Sequence, residues 1–404
     1  MSSSATYLHH TSRQVWSAVL AMSLCAFALV ASEFLPVSLL TPIAADLSLT
    51  EGQAGQAIAI SGLFAVITSL MLAPLTQGID RKPVLLATTA LMLASGGMVA
   101  FAPNYLTLMV GRAVLGVAIG GYWSMSTAVM MRIAPAPLVP KAIALMQGGT
   151  ALATAIAAPV GSYLGGMIGW RGAFVCVLPL AALALMWQAF TLPAMPSERK
   201  AAPATATLRL LADSRVALGM AAVACLFMGQ FTLFTYLRPF LETVTRVDVP
   251  TLSLVLLVTG TAGLVGTMVV GALVGRHLNR VLLGVPLIMT AIAFAVIMVG
   301  SWVVPVAVLL GIWGLISTCA PVGWFTWLAK AMPHQAEAGG GLMVAVIQLA
   351  ITAGATVGGV LYDGFGYQAT FVASGVLLLA ATVLSAATNR TLPCTSRTLQ
   401  GTSQ

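Results

Sequence analysis

Charge is what this sequence has least of: 7% of its 404 residues are Asp, Glu, Lys or Arg, against roughly a quarter in a soluble domain. With 59% hydrophobic residues beside that scarcity, a water-soluble globule is excluded and lipid is the main solvent. Cysteine is scarce as well. Four of the five, Cys25, Cys176, Cys225 and Cys319, fall in apolar runs without CxxC or ligand spacing, so packing rather than a disulfide framework or metal cluster is expected of them. No Ser/His/Asp set, metal-ligand cluster or phosphate-cradling glycine loop appears in the sequence, and the loops are too short for a catalytic domain. An enzyme is not expected, nor a bound cofactor or metal.

What the sequence has in abundance is long apolar runs. A helix needs about 20 apolar residues to cross a hydrocarbon core of roughly 30 Å. Runs of that kind fall at 16–40, 53–75, 84–102, 105–131, 141–163 and 172–192. After a polar stretch containing Glu198, Arg199, Lys200, Arg209, Asp213 and Arg215, six more follow at 216–241, 252–274, 281–300, 303–329, 340–362 and 368–388. The runs are apolar all round, whereas the strands of a closed barrel alternate in polarity over about ten residues. The expected fold is an all-α membrane protein of twelve transmembrane helices. Its first run is too long for a signal-peptide core and reaches Leu39-Leu40-Thr41-Pro42 without a small-residue cleavage pattern, so it is expected to stay as a span.

The net charge of +8 is sorted by loop, which a membrane explains better than a nucleic-acid surface does. With the amino end inside, the inner face receives Arg13, Arg81, Lys82, Arg132, Lys141, Arg199, Lys200, Arg209, Arg215, Arg276, Arg280, Lys330, Arg390 and Arg397, and the outer face only Arg171, Arg238 and Arg246. Both termini are therefore expected in the cytoplasm, which requires an even number of spans.

The chain also repeats itself. Offset by 197 residues, 144–175 aligns with 341–372 without a gap, pairing Leu145 with Leu342, Met146 with Met343, Gly161 with Gly358, Leu164 with Leu361, Gly169 with Gly366 and Phe174 with Phe371. An offset spanning six helices makes the halves parallel repeats related by an axis along the membrane normal. The expected organisation is a six-helix bundle over 1–192, a cytoplasmic central loop over 193–215, and a second bundle with a tail over 216–404. Two bundles of this kind can rock about a central site and move a small molecule across the membrane.

Local motifs carry a resemblance. Span four holds Arg112-x-x-x-Gly116-x-x-x-Gly120, and span five Ala158-Pro159-Val160-Gly161 followed by Gly165. The loop between spans two and three reads Gly78-Ile79-Asp80-Arg81-Lys82-Pro83. Together they resemble the major facilitator superfamily, in its drug and metabolite proton-antiporter branch, over nearly the whole chain. Ala158 stands where that branch usually has Gly, and the loop lacks the superfamily's second glycine, Pro83 following directly. The resemblance implies gating or structural roles for Asp80, Arg81, Gly116, Gly120, Pro159 and Gly161. The stretches 33–42, 229–239, 321–327 and 345–350 are similar to bacterial efflux carriers for purine ribonucleosides. That similarity implies export of inosine, guanosine and their analogues, a bacterial inner-membrane location, a proton gradient as energy source and, by analogy, a monomer.

An ionisable group deep in the bilayer is unfavourable by roughly 2.5–3.5 kcal/mol on insertion scales, so each one needs a reason. Nine of the ten acidic residues fall in loops or at helix ends, and Glu33 alone lies well inside a span. At about 1.5 Å per residue, Glu33 lies about 12 Å from the outer end of span one, taken near residue 41, and Arg112 about 10 Å below that of span four. The resemblance puts spans one, four, seven and ten around the central cavity, where Glu33 and Arg112 would meet as a proton switch, since burial and a nearby cation act oppositely on a carboxylate. An uncharged nucleoside needs rings to stack on and amide partners, which Gln230, Phe234, Tyr236, Trp123, Trp313 and Gln348 can supply. Arg238, near the outer end of span seven, is expected to snorkel to the surface, and Trp324 and Trp327 to anchor at the inner interface. Efflux of sugars or hydrophobic drugs is the alternative within transport, and a membrane sensor or receptor the alternative outside it.

Overall fold

The computed structural model describes residues 12–76, 78–135, 138–196, 209–332 and 336–391. Among them the regular elements are all helices. Span one is Ser12–Asp46, span two Glu51–Leu75, span three Arg81–Ala100 and span four Tyr105–Ile133. One helical trace, Val139–Thr191, breaks at Gly169 (φ 75°, ψ 164°) into spans five and six. Span seven is Ser214–Phe234 with a short continuation, Leu237–Thr243. Val249–Val299 divides at His277 into spans eight and nine. Val303–Ser317 and Cys319–Ala331 make span ten. Ala336–Thr391 breaks at Gly366 (φ 79°, ψ −178°) into spans eleven and twelve. Ten apolar helical stretches result, and the two broken at glycine, 51 and 50 residues long, each suffice for two crossings, which accounts for the twelve expected spans.

Gly169 and Gly366 stand 197 positions apart, the offset of the repeat, and both have a positive φ that glycine alone adopts without strain. The duplication thus preserves a one-residue turn where hydropathy leads one to expect a loop of several residues. Proline explains the interruptions within spans seven and ten. Pro239 has no N–H for Thr235 and Pro321 none for Ser317, and the helices of spans seven and ten break beside these carbonyls. Helix starts carry polar caps: Thr50 with Gln53 in a capping box, and side chains that accept from backbone N–H groups, Asp80 from Lys82 N (2.7 Å), Asn104 from Thr107 N (3.0 Å), Asp213 from Arg215 N (2.9 Å) and Asp248 from Thr251 N (3.1 Å).

Spans one to six pack on one another around Met22, Leu29, Leu115, Ile119 and Tyr122, and spans seven to twelve around Leu226, Met289, Leu310, Trp313 and Phe371. Large side chains such as Phe190 (88% exposed) and Met298 (86%) point outward, as a lipid-facing surface requires. Trp324 and Trp327 are both 1% exposed and meet edge to face at 5.4 Å, so they are core residues and not interfacial anchors. Gly219 makes this possible, because a Cβ there would collide with the Trp327 ring. Of the expected central loop, 197–208 lies outside the described residues, as does His334. By the charge bias, the end of Arg81 and Lys141 is taken as the inner one and the end of Asp46 and Glu51 as the outer.

Candidate functional site between the two halves

Span one carries two prolines inside an unbroken helix, Pro36 and Pro42. Each removes the amide that the carbonyl four residues earlier would accept, leaving Ser32 and Ser38 with free carbonyls in a protein interior. An arginine takes each one. Arg112, fully buried, donates from Nη1 to Ser32 O (2.7 Å), from Nη2 to Glu33 O (3.0 Å) and Ser61 Oγ (3.1 Å), and from Nε to Ala57 O (2.8 Å). Arg238, 5% exposed, donates from Nη1 to Ser38 O and from Nε to Glu242 Oε1 (2.8 Å). It does not snorkel. Its guanidinium turns inward because a proline-freed carbonyl of the opposite half faces it.

Glu33 and Arg112 are thus brought together, but in this conformation through the backbone: the guanidinium binds the Glu33 carbonyl, and the two described ion pairs are Arg171 with Asp46 and Arg238 with Glu242. The Glu33 carboxylate, on a residue 6% exposed and about 20 Å along the helix from its outer end at Asp46, accepts instead from Gln348 Nε2 of span eleven at 3.3 Å. This contact joins the halves at mid-depth.

Around it stand aromatic side chains of both halves. Phe34 stacks on Phe231 with centroids 5.7 Å apart, and Phe231 meets Phe234 edge to face at 6.0 Å. The repeat offset relates Phe34 to Phe231 and Glu33 to Gln230, so the stack joins pseudo-equivalent positions of spans one and seven. Gln230 is half-buried and its Oε1 has no hydrogen-bond partner among the described residues. Trp123 lies beside Val30, Ala31, Ala153 and Ala157, close to Phe34. Glu33, Gln348, Phe34, Phe231 and Phe234 therefore belong to one region at the boundary of the halves, with Gln230 next to Phe231 in sequence and Trp123 packed on the first-half cluster that also meets Phe34.

Two expected ligand residues are placed elsewhere. Tyr236 is fully buried at the outer end, its hydroxyl donating to Ala355 O (2.7 Å) and its ring stacked on Tyr362 (5.3 Å). Gly55 and Gly359 admit it, since a Cβ on either would strike its hydroxyl. Trp313 is 1% exposed within the packing of the second half. In this conformation both rings hold helices together.

The motif residues explain how the helices approach. Arg112, Gly116 and Gly120 lie four residues apart on one face of span four and meet Ala57, Ser61 and Ala65 at the same spacing on span two, where a Cβ on either glycine would collide with the backbone. Gly161 and Gly165 set span five against Leu35, Ser38 and Leu39 of span one. Pro159 lies at the contact of spans five and eight, beside Pro250, Ser253 and Leu254. Asp80 accepts from Met195 N (2.8 Å) and Arg81 donates to Thr76 Oγ1 (2.7 Å), so the loop between spans two and three is tied to the chain just after span six.

From Glu33 outward the halves are joined by further hydrogen bonds: Thr352 Oγ1 to Ala59 O (3.1 Å), Thr356 Oγ1 to Gln56 Oε1 (3.2 Å), and Thr50 Oγ1 and Gly52 N to Asp363 (2.6 and 2.9 Å). Asp363 sits on the N-terminus of span two, where the helix dipole favours an anion. The outer end is shut.

Two six-helix halves, closed at one end over a buried carboxylate, define the class of two-bundle membrane carriers. The Major Facilitator Superfamily profile matches residues 22–355, and the chain belongs to that superfamily of small-molecule transporters. It is 55% identical over 378 residues to the Transcription regulatory protein OpdE of Pseudomonas aeruginosa, covering 93% of this chain and 94% of that one. It is 41% identical over 381 residues to the Purine ribonucleoside efflux pump NepI of Salmonella enteritidis and equally to that of Salmonella typhimurium, covering 94% of this chain and 96% of each. Among solved structures, a bacterial homologue of the human lysosomal transporter Spinster, in an inward-facing, unoccupied conformation, superposes with a TM-score of 0.80 over 94% of this chain at 14% identity, a likeness of fold alone.

Proposed function

We propose that this chain exports purine ribonucleosides, inosine and guanosine among them, from the cytoplasm in exchange for protons. The observation that carries the reading is the Glu33–Gln348 contact: a buried carboxylate held by an amide of the opposite half, within an aromatic boundary region, in a chain 41% identical to nucleoside efflux pumps. When Glu33 binds a proton it loses its charge, and the hold on Gln348 weakens because a charged acceptor makes the stronger bond. Gln348 Nε2 is then available to a nucleoside base or ribose, and Gln230 Oε1 offers the complementary acceptor. Phe34, Phe234 and Trp123 supply faces for the base. Arg112 is a positioning residue that fixes the segment of span one bearing Glu33 and Pro36. No cofactor is required, since the proton gradient supplies the energy.

The site has a bundle over 1–192 on one side and a bundle over 216–404 on the other, with both termini in the cytoplasm, in the inner membrane, and the chain works as a monomer. The test is proton-gradient-driven accumulation in inverted vesicles of labelled inosine against arabinose and chloramphenicol. Inosine uptake abolished by a protonophore supports the reading, and uptake of only the sugar or the drug assigns the carrier to that substrate instead.

The name of the relative at 55% identity favours a second reading, a membrane sensor that acts on transcription. A sensor of this fold would bind a nucleoside without gradient-driven accumulation, which the same vesicles distinguish.

A further inference from the structure

We propose that Arg238 is the latch of the outer gate, holding the two halves shut through the carbonyl of Ser38 that Pro42 leaves without a helical partner. The proposal rests on the alternating-access reading above for its role in transport, but not for its test.

Ser38 is fully buried and its hydroxyl is already donated to Leu35 O (2.9 Å). In an unbroken α-helix its carbonyl would accept from the amide of residue 42, and Pro42 has no such amide. The free carbonyl is turned toward span seven, at the short helix Leu237–Thr243. Arg238 lies on that helix, with its Nε held by Glu242 one turn on (2.8 Å). This i,i+4 pair fixes one edge of the planar guanidinium, so Nη1 is aimed at span one rather than at solvent. Glu51 of span two is also within electrostatic range of the guanidinium.

The bond differs from its neighbours in how little rearrangement its breaking requires. Arg238 can leave together with Glu242 as an intact pair on one helix, while Ser38 O, having no helical donor to fall back on, is met by water entering the opened gate. A latch must combine specificity when shut with low reorganisation when released, and a proline-freed carbonyl facing a pre-formed ion pair provides both. The same chemistry on span four serves a fixed joint, because Arg112 spreads four bonds within its own half.

The test uses the full chain, with its native cysteines replaced, in proteoliposomes oriented with the outer end outward. A single cysteine at Ile58, a residue 1% exposed in the packing shared by the two halves, reports opening through its reaction with a membrane-impermeant maleimide. Arg238→Met removes the donor, and Pro42→Ala removes the vacancy by giving Ser38 O a helical amide. Each is expected to raise the labelling rate about tenfold, the equivalent of one charge-assisted hydrogen bond. The double variant is expected to rise no further than the larger single change, and Arg238→Lys to restore part of the wild-type protection. Pro42→Ala adds a hydrogen bond to span one and is expected to retain or raise thermal stability, so a rise in labelling there does not reflect misfolding. Unchanged labelling in Pro42→Ala, or rates that multiply in the double variant, overturns the latch. Because maleimide reads the gate directly, either outcome stands whether or not nucleosides are carried.

Discussion

The joint between Arg112 and the proline-freed carbonyl of Ser32 can be weighed by a double-mutant cycle. Arg112→Met removes all four donors, but the four acceptors are not left equally exposed. The carbonyls of Ala57 and Glu33 keep the amides four residues on as helical partners, and the Ser61 hydroxyl can still donate to Ile58 O at 2.8 Å. Ser32 O alone is orphaned, and an unsatisfied buried carbonyl is unfavourable by about 1–3 kcal/mol. Pro36→Ala supplies the missing amide. Placed in the Arg112→Met background, it is expected to recover about 1–3 kcal/mol that it does not supply in the wild-type chain, where Ser32 O is already satisfied. The four chains are compared by equilibrium unfolding in mixed micelles. A coupling energy below about 0.5 kcal/mol, the range in which independent sites add, would refute the account of why this arginine is buried here.

Further outcomes follow from the packing. Gly116→Ala places a methyl group against the Ser61 backbone and is expected to destabilise by about 1–3 kcal/mol, whereas Gly97→Ala, where a Cβ meets open space, is expected to stabilise by roughly 0.5–1 kcal/mol; thermal unfolding of both checks the pair. Asp80→Ala loses the cap on Lys82 N and the tie to Met195 N and is expected to lower stability by about 1 kcal/mol, with Asp80→Asn milder because Asn also caps, again read by thermal unfolding.

Much of the fold was legible because hydrophobicity, charge sorting and self-similarity all point the same way in a membrane chain. The offset of 197 pairs Gly169 with Gly366 without marking either as a turn, and hydropathy alone draws a loop there; the positive φ of both shows the one-residue turn. Hydropathy ends span one at 40, whereas the helix runs on through Pro42 to Asp46, the carbonyl that Pro42 frees being satisfied by Arg238. The site was half legible. Depth counting brings Glu33 and Arg112 together, but a cation and an anion at one depth suggest an ion pair, and the partner of the guanidinium is backbone. The signal for this was present in Ser32 four residues before Pro36 and Ser38 four before Pro42. Tyr236 illustrates the limit: its sequence neighbours place it on a cavity-lining helix, yet the break before Pro239 turns that residue into the outer seam, where only the opposing Gly55 and Gly359 explain its position. Contacts between halves far apart in sequence, such as Glu33 with Gln348, leave no local pattern to read.

Under the proposed exchange, Glu33 couples proton movement to export. Inverted vesicles carrying the wild-type chain or Glu33→Gln are loaded with labelled inosine under an imposed proton gradient, and counterflow exchange of inosine is measured in the same vesicles. Glu33→Gln is expected to abolish gradient-driven accumulation while exchange persists, because the binding surface is intact and only the titrating group is gone. Accumulation at the wild-type level in Glu33→Gln would contradict it.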